Sequence, residues 1–353
     1  MIHIVNIVLN LLQAFLIYAI TRLLFQNERQ SKIAVLLYMA FLTNLGIIFY
    51  NYSELLFGVL LLFSFYLYLN DTPVSAIISG AILALACNTR PIGLALFISI
   101  LILGIVVFFH ERHIASRTLL VLGSCLFTLL IIGETTKLHM GYFVPLPTNG
   151  ACNILIGAND DANGSFTDRV FQPGKAGHLD HPDSLTVFEK ENICRDAAFK
   201  WIAQHPWRWA ALVPAKFFHL FGRDDWTIPA LLNTDRWNCY TIAKLFFKEH
   251  RSQDIFAGES TTFIIAFITL FVLHHLYYYT LLGMMTYQYW YYKKHFLNFV
   301  ISRNRAMYLF VIVGIFITLC SVGVPRYQYS FIIFLIPTIA PMIDNIIRKK
   351  NLF

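Results

Sequence analysis

Four side chains stand where an apolar chain does not ordinarily keep charge. Glu54 begins an apolar run in Asn51-Tyr52-Ser53-Glu54-Leu55-Leu56-Phe57, and Arg90 lies between two such runs in Cys87-Asn88-Thr89-Arg90-Pro91-Ile92-Gly93. Arg326 sits far along the chain in Gly323-Val324-Pro325-Arg326-Tyr327-Gln328-Tyr329, and Lys216 lies in an aromatic stretch, Trp207 to Phe221. A carboxylate at a helix start could serve as a base or bind a sugar hydroxyl or a metal. Its ordinary role there is to complement the helix dipole, worth ~0.3–1 kcal/mol. A guanidinium matches phosphate oxygens through charge-assisted, planar hydrogen bonding. The ordinary alternative is an arginine whose stem lies in lipid while its head reaches the headgroups. Arg90 and Arg326 are therefore a candidate clamp for a single anion, a lipid-linked phosphate at the membrane interface. Lys216 is a third candidate for that clamp, with a plain lipid contact as its alternative.

Other polar groups carry weaker signals. Asp160, Asp161, Asp168, Asp224 and Asp225 could line a sugar cleft or hold a divalent ion, but aspartate is a normal turn former and the solvated turn is the simpler reading. No tight carboxylate cluster calls for a metal, and no cofactor is expected. Asn51-Tyr52-Ser53 and Asn163-Gly164-Ser165 match the glycosylation acceptor pattern, which is short and relevant only in a eukaryotic secretory setting. Cys87, Cys125 and Cys320 lie in apolar runs, where a thiol behaves as a small hydrophobe. Cys152, Cys194 and Cys239 lie in the polar middle without zinc-site spacing, which leaves room for one disulfide and an odd thiol.

The elements that must position these residues follow from composition. Of 353 residues, 57% are apolar and 13% charged, against about 25% charged in a soluble domain. This excludes a water-soluble globule, a coiled coil or a disordered chain. Residues 135–260 hold 14 of the 20 acidic and 13 of the 27 basic residues, so the net +7 arises in short loops elsewhere. Such a distribution reads as membrane topology, and no nucleic-acid footprint is present.

The apolar runs predict nine helical spans: 2–25, 33–50, 54–69, 74–88, 91–109, 116–133, 261–287, 306–322 and 327–343. Those at 54–69 and 74–88 are short for a ~30 Å hydrocarbon layer. Alternate connections carry Arg22, Arg29 and Lys32; Arg112 and Arg117; Lys293, Lys294, Arg303 and Arg305; and Arg348, Lys349 and Lys350. The opposite short connections hold only Arg90 and Arg326 as basic residues. Twelve against two orients the chain by the positive-inside rule, with the C-terminus and the basic loops inside and 135–260 outside. The expected fold is an all-α polytopic transmembrane bundle of about nine spans with one large outer loop domain. Its parts are 1–134 (six spans), 135–260 (the loop) and 261–353 (three spans). No cleavable signal peptide is visible.

Within the loop, Ile156-Gly157-Ala158-Asn159-Asp160-Asp161-Ala162-Asn163-Gly164-Ser165 reads as turns. Asp183 and Ser184 offer an N-cap for a helix of about 185–204, where Ile193, Ala197 and Trp201 form an apolar stripe. The stretch Trp207 to Phe221 reads as an interfacial helix, with Trp207 and Trp209 at headgroup level.

Charges in mid-span and paired Gly/Pro-broken spans, the signs of a transporter, are not evident, although His274 and His275 lie in a Tyr-rich run. The order of features resembles the GT-C superfamily of integral-membrane glycosyltransferases, in the bacterial branch related to protein O-mannosyltransferases and lipid A aminoarabinose transferases. The residues carrying the likeness are Tyr52 to Phe57, Gly80 through Ala86 with Thr89 to Gly93, and Ile156 to Asn159 with Gly164. Trp201 to Pro206, Lys216 and Pro325-Arg326-Tyr327 complete it. The resemblance implies inverting transfer of a sugar from a polyprenyl phosphate to an acceptor glycan, lipid or protein of the cell envelope. The setting it implies is the outer face of a bacterial plasma membrane. It places Glu54 at the family's second acid and Arg90, Arg326 and Lys216 at the donor phosphate, with Tyr327, Asn159 and Asp160 at the substrate.

One departure matters. The family's first span and its first outer loop, which carries the presumed aspartate base, have no counterpart, and residues 1–53 contain Glu28 but no Asp. The expectations are an N-terminally truncated reading of a longer protein or a paralogue without catalysis, with Glu54 as a stand-in base less favoured. The alternative function is a non-catalytic membrane protein, such as a glycolipid flippase or an assembly partner.

Overall fold

The computed structural model describes residues 2–108, 112–179, 184–234, 236–294 and 305–350. Among them the regular elements are helices, and one isolated parallel bridge pairs Ser165 with Gly323. In chain order they are α1 (Ile2–Phe25), α2 (Glu28–Ala40), α3 (Thr43–Gly46), α4 (Glu54–Leu69), α5 (Pro73–Thr89), α6 (Leu94–Phe108) and α7 (Arg112–Met140). The loop region adds α8 (Gly150–Ile156), α9 (Val187–Gln204), α10 (Pro206–Ala211), α11 (Val213–Phe221), α12 (Ile228–Leu231) and α13 (Cys239–Ala243). The last three are α14 (Thr261–Lys294), α15 (Arg305–Cys320) and α16 (Gln328–Lys350).

The expected apolar runs are largely helical over their described residues, the run 33–50 being interrupted at Phe41–Leu42 and the run 306–322 ending at Cys320. Among the described residues four helices are long and apolar enough to cross a bilayer: Ile2–Phe25, Ser116–Met140, Thr261–Gln288 and Pro325–Arg348. A bent pair, Glu28–Ala40 with Thr43–Phe49, makes a fifth if counted as one span. Glu54–Leu69, Pro73–Thr89, Pro91–Val106 and Arg305–Cys320 are apolar but shorter. The chain thus has the helices of a membrane protein.

The chain divides into two compact units. The first comprises 1–55, 223–301 and 332–353, and the second comprises 56–222 and 302–331.

In the first unit, the expected single helix over 33–50 is broken at Phe41 and Leu42, with a 62° bend. A break inside an apolar run frees backbone carbonyls that lipid cannot satisfy. Just before the break the Tyr38 carbonyl accepts from the Asn44 side-chain amide and the Leu37 carbonyl from the Tyr277 hydroxyl, while three buried amides on α1, at helical spacing and so on one face, bond carbonyls further along the chain. Asn6 Nδ2 donates to the carbonyls of Ile48 and Tyr50 at 2.9 and 3.0 Å, and Asn10 Nδ2 to that of Asn44 at 2.7 Å. Gln13 Nε2 donates to the carbonyl of Leu55, at the start of α4, at 2.7 Å. The Tyr38 hydroxyl in turn donates to Gln13 Oε1 at 3.0 Å.

In the second unit, α5 and α7 approach closely because Gly80 faces the α7 backbone, where a side chain would overlap the Val121 carbonyl. Small residues serve membrane helices in this way. In the loop region a Cys152–Cys194 disulfide, Cα–Cα 5.0 Å, ties α8 to α9. Around it pack Ala151, Leu155, Ile156, Val170, Ala198 and Val322. α9 starts two residues later than expected. Thr186 is its N-cap and forms a reciprocal capping box with Glu189, at 3.2 and 2.7 Å. Ser184 precedes that cap, and Asp183 lies outside the described residues. The expected single helix from Trp207 to Phe221 is two, α10 and α11, joined at Leu212.

The disulfide closes a separation of 42 residues, for which chain entropy gives about 4 kcal/mol. The variant Cys152→Ser is expected to lower the melting temperature by several degrees. Wild-type protein alkylated without reductant should leave both thiols unlabelled; labelling of either contradicts the pairing.

Candidate functional site

In the second unit two proline corners bring the outlying arginines together. Arg90 ends α5 in an extended conformation, φ −149°, with its N–H bonded to the Ala86 carbonyl at 2.9 Å. Pro91 disfavours helical backbone at residue 90, and Pro91–Gly93 turn once as a 3₁₀ helix. A side chain at Gly93 would sit 2.9 Å from the Cys87 nitrogen, so the turn folds tightly on the end of α5. Val324 is likewise extended, φ −129°, before the 3₁₀ turn Pro325–Tyr327 that leads into α16. The guanidinium carbons of Arg90 and Arg326 lie 5.0 and 5.7 Å from the centroid of the Tyr327 ring. Both separations are in the cation–π range. All three side chains are half-buried.

α11 packs against the 325–327 turn and carries Lys216. Lys216 is fully buried, which corrects the lipid-contact alternative for this lysine. Three glycines make this possible. A side chain at Gly157 would overlap the Ser321 carbonyl and reach within 3.2 Å of Lys216 Nζ. One at Gly323 would overlap the Lys216 carbonyl, and one at Gly164 would lie 2.9 Å from the Lys216 nitrogen. Gly323 N–H also bonds to the Gly164 carbonyl at 3.0 Å. Gly164 adopts φ +89°, which side-chain-bearing residues rarely accept.

Lys216 Nζ makes no hydrogen bond among the described residues and lies 5.4 Å from the centroid of the Trp209 ring. The Trp209 indole N–H is also buried, with no acceptor among the described residues. Loss of hydration lowers the Lys216 amine to about 8. A buried ammonium and a buried N–H donor, both unsatisfied, suit the oxygens of an anion.

The remaining candidates are placed differently. The Asn159 amide nitrogen donates to the carbonyls of Leu155 and Ile156 at 2.8 and 3.0 Å, and its oxygen accepts from Asp161 N–H at 2.8 Å. Its side chain therefore fastens the end of α8. Asp160 is exposed and accepts from Trp201 Nε1 at 3.1 Å and Arg208 Nη1 at 3.0 Å, joining α8 to α9 and α10. The Trp201 N–H, followed by Arg208, holds its carboxyl below the usual carboxylate range. Asp161 pairs with Lys175 at 2.7 Å. Glu54 belongs to the first unit and is buried at the start of α4 rather than solvated there. Asp224 and Asp225, in the same unit, are buried too, which overturns the solvated-turn reading for both. Among the described residues, no three His, Cys, Asp or Glu side chains gather as metal ligands. Trp209 and the three glycines around Lys216 were not singled out by sequence as a group, since their spacing follows no short motif.

Comparison with known proteins finds no matching family model, curated protein or solved structure.

Removing the buried amine should stabilise the ligand-free protein. The gap between about 8 and the ordinary 10.5 corresponds to at most about 3 kcal/mol. The folded state holds the Lys216 proton less tightly than the unfolded chain, so this penalty is full below about pH 8 and fades as pH rises to 10.5. Thermal unfolding of Lys216→Met should therefore exceed wild type at pH 7, with the difference closing between those two pH values. A variant less stable than wild type at pH 7 contradicts the desolvated amine.

Proposed function

We propose that the chain is a polytopic membrane glycosyltransferase of the GT-C kind. It takes a sugar from a polyprenyl-phosphate donor and passes it to a cell-envelope acceptor on the non-cytosolic side. The observation that supports this most is the meeting of Arg90 and Arg326 on the Tyr327 ring, with Lys216 on the helix packed against the same turn. When the sugar–phosphate bond breaks, negative charge gathers on the departing lipid phosphate. Fixed cations in a poorly hydrated site stabilise that charge more strongly than water-exposed ones. The attacking acceptor hydroxyl needs a proton acceptor; the resemblance puts Glu54 at the family's second acid, a stand-in base being the less favoured role for it. The Cys152–Cys194 disulfide favours an oxidising compartment for the loop region, in agreement with the side indicated by the lysine and arginine bias.

The broken span of the first unit, with buried Asp224 and His274 beside it, favours a second reading. A non-catalytic glycolipid flippase is the kind of protein in which broken helices and intramembrane ionisable groups recur. Sugar transfer or release from a polyprenyl-phosphate sugar by the purified protein separates the two.

Arg90→Ala and Arg326→Ala are each expected to reduce transfer by roughly 10²–10³-fold, as loss of one charge-stabilising donor does elsewhere. Membrane insertion, read by detergent-solubilised yield and gel filtration, should be unchanged. Wild-type turnover in either variant removes the clamp.

A further inference from the structure

The first unit contains a buried Asp–His pair that the proposed transfer does not use. His274 lies on α14, and both it and Asp224 are fully buried. His274 Nε2 is 2.6 Å from the Asp224 backbone carbonyl and 3.1 Å from Asp224 Oδ2. Both partners are acceptors, so Nε2 carries the hydrogen. The same carboxylate accepts the Thr43 hydroxyl at 2.5 Å and the Trp226 indole N–H at 3.0 Å. The imidazole stacks with Phe41, centroids 5.8 Å apart at 22°, and with Tyr278, 6.4 Å apart at 25°. Its other nitrogen, Nδ1, is buried and has no hydrogen-bond partner among the described residues.

We propose that Asp224 and His274 form a proton-binding site. With Nε2 already committed as a donor, Nδ1 of the neutral ring presents a bare lone pair. A hydronium ion gives up a proton there: its O–H bond breaks as the N–H bond forms, a water molecule leaves, and the resulting imidazolium faces the Asp224 carboxylate. A carboxylate that fixes one ring nitrogen and leaves the other basic is the arrangement by which an Asp–His pair handles protons. Among the described residues the titratable or charged groups beside it are Tyr278, His275, Tyr277, Asp225 and Arg223. His275, on the same helix, lies edge-on at 5.6 Å with its Nδ1 bonded to the Phe271 carbonyl, and Tyr277 donates to the Leu37 carbonyl. Asp225, in the adjoining segment, pairs with Arg223 at 3.6 Å. The broken span contributes the uncharged Phe41 and Thr43.

These last two residues flank the break. Phe41 caps α2 and stacks on the imidazole, while Thr43 opens α3 and donates to Asp224. Charging Nδ1 creates a buried donor in need of an acceptor, and the 62° break is where main-chain groups leave regular helix pairing. Proton uptake at His274 therefore acts on the bend of this span, whichever reaction the second unit performs.

The test is ¹⁵N NMR of the full chain in lipid nanodiscs with ¹⁵N-labelled histidine, the His274 signals being those lost in His274→Gln. As the pH is lowered from about 8 to 5, Nδ1 should gain a hydrogen while Nε2 keeps its own. Asp224→Asn should weaken that proton binding by tenfold or more. An Nδ1 signal that does not change over this range, or titration unaffected by Asp224→Asn, overturns the proposal. If Asp224→Asn does not fold, the wild-type titration decides alone. No sugar donor takes part, so the result is separate from that of the transfer assay.

Discussion

Residue 216 is where three stretches of the second unit must pass one another within contact distance, and only glycine fits at the crossing points. Gly157 closes α8 against Ser321, Gly164 presses on the backbone of α11, and Gly323 runs beneath the Lys216 carbonyl. The consequence is electrostatic. With no side chains between them, these strands of backbone bury a lysine amine and leave it without a hydrogen bond among the described residues. Holding this ammonium out of water costs the ligand-free fold about 3 kcal/mol at most, a cost that an anion bound beside it would offset. The disulfide and its small apolar cluster hold the crossing in place by fixing α8 on α9.

The two arginines extend the same electrostatic logic. Each follows from a proline corner that stops one helix and starts another, and each guanidinium reaches the same tyrosine ring. Bringing like charges to one ring raises their mutual repulsion, which an anion between them would offset. Tyr327 gives both a polarisable face that keeps them pointed inward. The first unit solves a different problem, since its span breaks in apolar surroundings. There Asn44 and Tyr277 take up the Tyr38 and Leu37 carbonyls beside the break, the amides of Asn6 and Asn10 hold carbonyls of the second half, and Thr43 pins that half to Asp224.

Hydropathy locates the apolar helices well, because a membrane-spanning run and its limits are both written in composition. It averages over the break at Phe41–Leu42, although the spacing of Asn6, Asn10 and Gln13 on one face of α1 carries the signal that something polar lies opposite. Arg90 and Arg326 stand out by sign, being the basic residues of the short connections that alternate with the lysine- and arginine-rich ones. Their convergence on Tyr327 is a tertiary fact, since 235 residues of chain lie between the two arginines. The burial of Lys216 is less legible still. It depends on glycines at 157, 164 and 323, whose proximity to residue 216 no periodicity announces. Asp224 reads as a turn residue until Thr43, Trp226 and His274 surround it, and three cysteines in the loop do not say which two pair.

The account turns on Arg90 and Arg326 gripping one anion together, and a double-mutant cycle on binding of a polyprenyl phosphate in nanodiscs measures this most directly. If both guanidiniums hold the same phosphate, Arg90→Ala, Arg326→Ala and the double variant should be strongly non-additive, with a coupling of about 1 kcal/mol or more. Additive losses within about 0.5 kcal/mol, or unchanged affinity in the double variant, would contradict it.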